Sequence, residues 1–131
     1  MNPEKLKISK EYETLHRRLW GWLAKTGEQF KYRWPEWESN GGKIKGVLHH
    51  CFCCELGHFE ENWNQYPPCK CPIKWGKRDT SREHVECQSY NNLYTKWLST
   101  YNMKQRKILA KQIANLPWRH RNDIVIPYDM K

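Results

Sequence analysis

Hydrophobic residues recur at helical spacing near the start of the chain. The pattern predicts a helix from about Ser9 to Lys25, with Ser9 as its N-cap. Gly27 then supplies the usual C-cap stop. The apolar face of this helix consists of Tyr12, Leu15, Leu19, Trp22 and Leu23.

A second helical pattern occupies the last third of the chain. It begins near Cys87, is predicted to bend near Asn102, and ends at Pro117. Its apolar positions are Tyr90, Leu93, Tyr94, Trp97, Leu98 and Tyr101, followed by Ile108, Leu109, Ile113 and Leu116.

The two segments between these helices lack helical periodicity. Residues 30–47 contain Trp34-Pro35-Glu36-Trp37 and Asn40-Gly41-Gly42, which predict an ordered loop or a sharp turn. We expect both tryptophans to pack against the first helix, and a ligand platform is the alternative. Residues 49–87 carry all the cysteines and read as loops organised by something other than a core of their own.

Composition explains why such a chain needs an additional constraint. Only 38% of the 131 residues are hydrophobic, yet eight are Trp and seven are Tyr, so the core should be small and aromatic. A small core of this kind is commonly reinforced by disulfides or by a metal. The N-terminal residues include no apolar run typical of a secretory signal, and no stretch approaches the roughly 18 apolar residues of a membrane span. We therefore expect a cytoplasmic protein with no membrane partner, whose thiols are reduced and available for zinc.

The cysteines offer a tetrahedral ligand set of the kind that structural zinc sites use. Cys51 and Cys54 have the two-residue separation that allows both to bind one ion from a tight turn. Cys71 and Cys87 complete the predicted set, the latter where a helix begins and its dipole favours a thiolate. The membership stays open, because several side chains could substitute: Cys53, Cys69 and His50.

The expected fold is therefore mainly α. Two to three amphipathic helices pack on a loop-rich segment organised by one structural zinc, within a single domain of 131 residues. Residues 1–8 and 118–131 are predicted to be flexible or loosely packed ends.

No motif argues for catalysis. A deaminase-type zinc requires Pro-Cys-x-x-Cys, whereas Pro68-Cys69-Lys70-Cys71 has the wrong spacing. Four thiolates would also leave the metal coordinatively closed, and the His49-His50 doublet lacks the partners of an HNH nuclease site. The sequence thus favours a protein that is not an enzyme.

The chain is strongly basic, with a formal net charge of +9, and should be attracted to polyanions. The segment from Lys104 to Arg121 contains six basic residues and no acidic one. The side chains predicted to contact nucleic acid are Lys104, Lys107, Lys111, Arg119 and Arg121, joined by Arg17 and Arg18 if the terminal helices pair. A solvated helix face is the competing interpretation. The aromatic residues predicted to stack on bases beside this face lie outside the helical apolar stripes: Trp75, Trp118, Tyr66 and Tyr128.

Several of these pieces together resemble a group of small hypothetical proteins from phages and prophages. They are Tyr12…Leu15-His16…Leu19-Trp20…Trp22-Leu23-Ala24, Trp34-Pro35-Glu36-Trp37…Asn40-Gly41-Gly42, Cys51-Phe52-x-Cys54-Glu55, Cys71-Pro72-Ile73-x-Trp75, Cys87 and Tyr94…Trp97. The resemblance covers about residues 12–117 and implies that Cys71, before proline, is preferred over Cys69. It implies an origin in phages and no mechanism.

The leading hypothesis is an accessory protein of a phage or prophage that binds nucleic acid or a nucleotide-type polyanion through its basic face. Such a protein would counter host antiviral defence from the host cytoplasm. Two alternatives stay open. One is an anti-CRISPR-like inhibitor that binds a host defence protein through tryptophans around Trp34, Trp37 and Trp75, and the other is a nucleotide sponge or nucleotide-processing enzyme.

Overall fold

The computed structural model describes residues 2–45, 47, 50–57, 71–75 and 92–120; of Cys54, Glu55 and Gly57 it describes only the helical backbone. Four α-helices lie in these ranges: α1 (Pro3–Thr26), α2 (Phe52–Gly57), α3 (Leu93–Ser99) and α4 (Met103–Ala114). Two 3₁₀ turns follow α1, at Lys31–Arg33 and Glu38–Asn40. The described ranges contain isolated β-bridges but no strand. The prediction of a mainly α fold is therefore confirmed.

Helix α1 begins two turns earlier than the sequence pattern predicts. Asn2 is the N-cap, and its side-chain oxygen accepts a hydrogen bond of 2.8 Å from the backbone N–H of Glu4. Residues 3–8 are therefore the first turns of α1. Ser9, the predicted N-cap, is instead a buried residue inside the helix. Gly27 ends α1 in the left-handed conformation, as predicted.

Helices α1 and α4 form the most extensive contact of the described structure and run antiparallel. Each helix supplies an arginine that caps the C-terminal end of the other. Arg106 of α4 donates from Nη1 to the carbonyl of Gly27 at the end of α1, over 2.8 Å. Arg17 of α1 donates to the carbonyl of Ala114 at the end of α4. Each cation thus lies at a helix C-terminus, where the helix dipole is negative.

The core around α1 consists largely of aromatic rings. Trp20 of α1 meets Trp97 of α3 edge to face, with ring centroids 4.8 Å apart. On another side of α1, Phe52 of α2 stacks on Trp37 at 5.4 Å and meets Trp34 at 6.1 Å. The expected small aromatic core is therefore present, and Trp34 and Trp37 belong to it.

Residues 30–44 form the ordered turn that the sequence predicts. The side-chain amide of Asn40 donates to the carbonyls of Tyr32 and Trp34, at 2.7 and 2.8 Å. Gly41 has φ +96°, and a Cβ on Gly42 would lie 2.2 Å from the backbone of Glu36. These two positions explain why the turn carries a Gly-Gly pair.

The predicted bend near Asn102 is a complete break between α3 and α4. Asn102 caps α4, its side chain accepting from the backbone N–H of Gln105 at 2.9 Å. The break changes the phase of the helical pattern. Three predicted apolar positions, Leu98 in α3, Tyr101 in the break and Ile108 in α4, are 56%, 96% and 45% exposed.

Residues 118–120, assigned by the sequence to a loosely packed end, contact α1 through polar side chains. Trp118 donates from Nε1 to the Ser9 hydroxyl over 3.1 Å. The same hydroxyl lies 2.8 Å from Nδ1 of His120, whose Nε2 is 3.3 Å from Glu13. Burial of Ser9 is therefore explained by its two polar partners.

Replacement of Gly27 by Ala should destabilise the protein by about 1–2 kcal/mol, because the residue has a positive φ. A Cβ there would also lie 2.6 Å from Cγ of Met103 on α4. Gly21→Ala is the matched control, since Gly21 is an exposed helical position with open space around it. It should stabilise by about 0.5–1 kcal/mol. Urea unfolding followed by circular dichroism measures both, and equal effects would contradict this assignment.

Candidate metal centre and basic face

Three cysteines from two separate segments meet in one cluster beside α1. Cys51 directly precedes α2, Cys53 lies within it, and Cys71 begins the segment 71–75. Cys53 and Cys71 are only 2% and 4% exposed and pack with Ile73, while Cys51 packs against them from a half-buried position. We call these three residues the thiol cluster.

The segment that carries Cys71 is positioned by the residues that follow α4. Ile73 and Trp118 form an antiparallel bridge. The backbone N–H of Lys74 donates to the carbonyl of Pro117 at 2.9 Å, and that of Arg119 donates to Pro72 at 2.7 Å. Pairing of these segments explains how a residue distant in sequence reaches Cys53.

His16 of α1 borders the thiol cluster and is fully buried. Its Nδ1 lies 3.6 Å from the sulfur of Cys53, and its ring is 5.5 Å from that of Trp118. Burial lowers the pKa of His16 from 6.5 to about 4, although the nearby thiol of Cys51 and the backbone of Ile113 oppose part of this shift. Its Nε2 makes no hydrogen bond of normal geometry within the described residues. His16 is therefore neutral at pH 7.

The thiols of the cluster differ in their acidity. A hydrogen bond from Cys53 lowers the pKa of Cys71, and the indole N–H of Trp75, 3.4 Å from the Cys71 sulfur, acts in the same direction. Burial raises the pKa of Cys53 well above its ordinary value. Cys71 is therefore the better thiolate, and Cys53 the more firmly protonated thiol.

The predicted zinc ligands are only partly within the described structure. It brings Cys51 and Cys71 together, whereas Cys69, Cys87 and the side chain of Cys54 lie outside it. Of the suggested substitutes, Cys53 belongs to the cluster, while His50 packs its ring on Trp37 with centroids 4.9 Å apart. Within the described ranges, no three His, Cys, Asp or Glu side chains are arranged to hold a metal ion. A zinc site here would therefore require ligands from outside them.

Sequence reasoning missed His16 as a neighbour of the cysteines. The helical pattern places His16 one residue after the apolar position Leu15, but the sequence does not reveal which element covers that side of α1. Its position beside Cys53 follows from the packing of α2 on α1, with the Phe52 and Tyr12 rings 5.6 Å apart.

The basic residues of α4 divide between the surface and the interior. Lys104 and Lys111 are exposed and Lys107 is half-buried, and their spacing places all three on one side of the helix. Arg119 is exposed beyond the end of α4, and Arg121 lies outside the described residues. Arg106, in the same basic run, is buried because it caps α1. We call Lys104, Lys107, Lys111 and Arg119 the basic face.

The arginines of α1 that were predicted to extend this face have protein partners. Arg17 forms an ion pair of 2.7 Å with Glu13 besides capping α4. Arg18 pairs with Glu36, and its guanidinium lies 6.0 Å from the centre of the Trp34 ring. Within the described structure, by contrast, no salt bridge involves the basic face, and residues 92–120 include no Asp or Glu.

The aromatic side chains proposed for binding are mostly inside the protein. Trp34 and Trp37 lie in the core, only 2% and 3% exposed, so the prediction that these two residues form a protein interface is wrong. Trp75 and Trp118 are half-buried and belong to the surroundings of the thiol cluster. Of the other candidates, Tyr66 and Tyr128 lie outside the described residues. Instead, the most exposed large hydrophobic side chain of the described ranges is Tyr101, between α3 and α4.

Comparisons with known proteins add no relative from which a function could be inferred. A scan against protein-family models finds no match, and searches of curated proteins and of solved structures find none either. None of the described helices combines the length and apolar composition required to cross a membrane. The function must therefore be inferred from the chemistry of these two sites.

Acidification should destabilise the protein through His16. Between pH 6.5 and about 4 the unfolded chain binds a proton that the folded chain excludes, so the free energy of unfolding falls as the pH falls. The full effect corresponds to at most about 3 kcal/mol. Urea unfolding across this range should give a steeper decline for the natural protein than for His16→Gln. Parallel declines would contradict the buried neutral state, because the two proteins differ only in the imidazole of residue 16.

Proposed function

We propose that the protein binds a nucleic-acid-type polyanion through the basic face. The observation that carries this proposal is the contrast between the arginines of α1 and the basic face. Arg17 and Arg18 are used within the fold, whereas the basic face has no carboxylate partner in the described structure. A cationic surface without internal neutralisation attracts phosphates by releasing their counterions.

The spacing of the lysines suits a polymer better than a single small anion. Lys104 and Lys111 are seven residues apart, which corresponds to about 10 Å along a helix. This is comparable with the Debye length of about 8 Å at physiological salt, so their fields overlap without acting as one point charge. Several phosphates along a backbone would match this arrangement.

We further propose that the thiol cluster is part of a structural zinc site. Cys51 and Cys71 would be two ligands, and Cys54 and Cys87 remain the proposed other two. The Trp75 N–H directed at the Cys71 sulfur supports a thiolate there, because such donors stabilise metal-bound sulfur. Cys53 would be a buried neighbour, in keeping with its contact with His16.

The biological setting that we propose rests on the resemblance to small phage and prophage proteins. A non-enzymatic accessory protein acting in the host cytoplasm against an antiviral defence would fit a basic domain of 131 residues. A nucleotide ligand of the same defence systems shares the phosphate chemistry and is distinguished below by competition.

Binding should weaken steeply with salt if the basic face contacts phosphates. Four contacts predict a slope of about −3 for log affinity against log salt concentration. The triple variant Lys104→Gln, Lys107→Gln and Lys111→Gln should reduce the slope to about −1. Fluorescence anisotropy with labelled oligonucleotides measures this, and mononucleotide competitors should displace them poorly.

The matched control removes the same charge elsewhere through Lys7→Gln, Lys43→Gln and Lys45→Gln. These lysines are exposed and lie on α1 and after the Gly-Gly turn. The control should retain most of the affinity. Absence of binding by the natural protein at low salt would contradict the proposed function. Equal losses of affinity in the two triple variants would show that binding depends on net charge and not on the basic face.

Native mass spectrometry of reduced protein should find one zinc ion per chain. The variants Cys51→Ser and Cys71→Ser should each lose the metal and unfold at a lower temperature than the natural protein, because each lacks a thiolate that would bind the zinc ion. Cys53→Ser is the control: it should keep zinc and lose stability only through its buried hydroxyl. Natural protein that retains no zinc would overturn the zinc proposal, and loss of zinc from Cys53→Ser would place Cys53 among the ligands.

A further inference from the structure

Tyr101 is an aromatic residue for which the fold provides no packing role. Its side chain is 96% exposed, although most aromatic rings of the described residues are buried or half-buried. It lies between α3 and α4, one residue before Asn102, the N-cap of α4. Lys104, in the first turn of α4, follows three residues later. The exposed ring therefore directly precedes the helix that carries the lysines of the basic face.

Helix α4 carries exposed apolar side chains as well as basic ones. Met103 is 56% exposed at the start of α4, and Ile108 is exposed between Lys104 and Lys111 in helical position. On such a face the cations can bind phosphates, and the exposed apolar side chains can contact unpaired bases. A duplex presents only its sugar-phosphate exterior and groove edges, because its bases are stacked inside.

We propose that the basic face binds single-stranded nucleic acid in preference to duplex, with Tyr101 stacking on an unpaired base. This inference rests on the proposed function and specifies its ligand. Lysines along α4 hold the phosphates, while the phenol ring of Tyr101 receives the face of a base exposed beside them. Stacking of this kind tolerates any base, so the preference is for strandedness and not for sequence.

The test compares single-stranded and duplex oligonucleotides of about 12 nucleotides, a length within the range bound by small single-strand sites. Tyr101→Ala should weaken single-strand binding about tenfold and leave duplex binding unchanged. Tyr101→Phe retains the ring and should bind as the natural protein does. Because the side chain is exposed, the melting temperature of both variants should equal that of the natural protein.

Tyr32→Ala provides the matched control. Tyr32 is also exposed, but it stacks on Phe30, with centroids 5.3 Å apart, in the turn after α1. This variant should leave both affinities unchanged. Equal affinity of the natural protein for the two forms, or an equal loss for both in Tyr101→Ala, would overturn the inference while the salt-dependent binding of the basic face stands. Failure of the proposed function has a different signature, namely no salt-dependent binding of either form.

Discussion

The antiparallel contact between α1 and α4 is the interaction on which the rest of the structure depends. It buries Leu19 and Leu23 of α1 with Leu109 and Ile113 of α4 in one core, and it brings the end of each helix to an arginine of the other. Arg106 is almost completely buried. A buried guanidinium is tolerated there because Gly27 and Thr100 supply carbonyl acceptors and the helix C-terminus supplies a negative potential. The two helices are thereby fixed in register as well as in direction.

Around this helix pair, aromatic rings and sulfur atoms compensate for the scarcity of aliphatic side chains. The rings of α2, α3 and the turn at residues 30–44 pack on α1 from different sides. The thiol cluster forms a smaller group beside them, closed by His16 and by the segment that follows α4. A proposed zinc ion in this place would tie three sequence-distant segments to α1. That is the role expected of a metal in a chain whose own core is small.

The division of the positive charge follows from the same packing. Arg17, Arg18 and Arg106, with planar donors suited to carbonyl and carboxylate acceptors, are used at helix ends and in ion pairs. On α4, Lys104 and Lys111 are exposed and Lys107 is half-buried, and none of them forms a salt bridge within the described structure. A count of basic residues along α4 includes Arg106, but the structure removes it from the surface. The remaining basic surface is narrower than the sequence suggests, and the exposed Tyr101 directly precedes the helix that carries its lysines.

Short-range rules determined much of this protein from the sequence by itself. Helical spacing predicted the main parts of α1 and of the α3–α4 region. Gly27 predicted the end of α1, and Gly41 with Gly42 predicted the turn, because each of these features depends on local backbone geometry.

Only the tertiary structure decided that Ser9 lies inside α1 and that His16 and Cys53 meet. It also decided that Arg106 caps the C-terminal end of α1 and that Arg17 caps that of α4. The structure further decided that Tyr101 faces solvent, because this residue lies in the three-residue break between α3 and α4 and not on the face of a helix. These outcomes depend on contacts between residues far apart in the chain, such as Arg17 with Ala114 and Arg106 with Gly27. Spacing along a sequence carries no information about such contacts until the helices have a fixed direction and register.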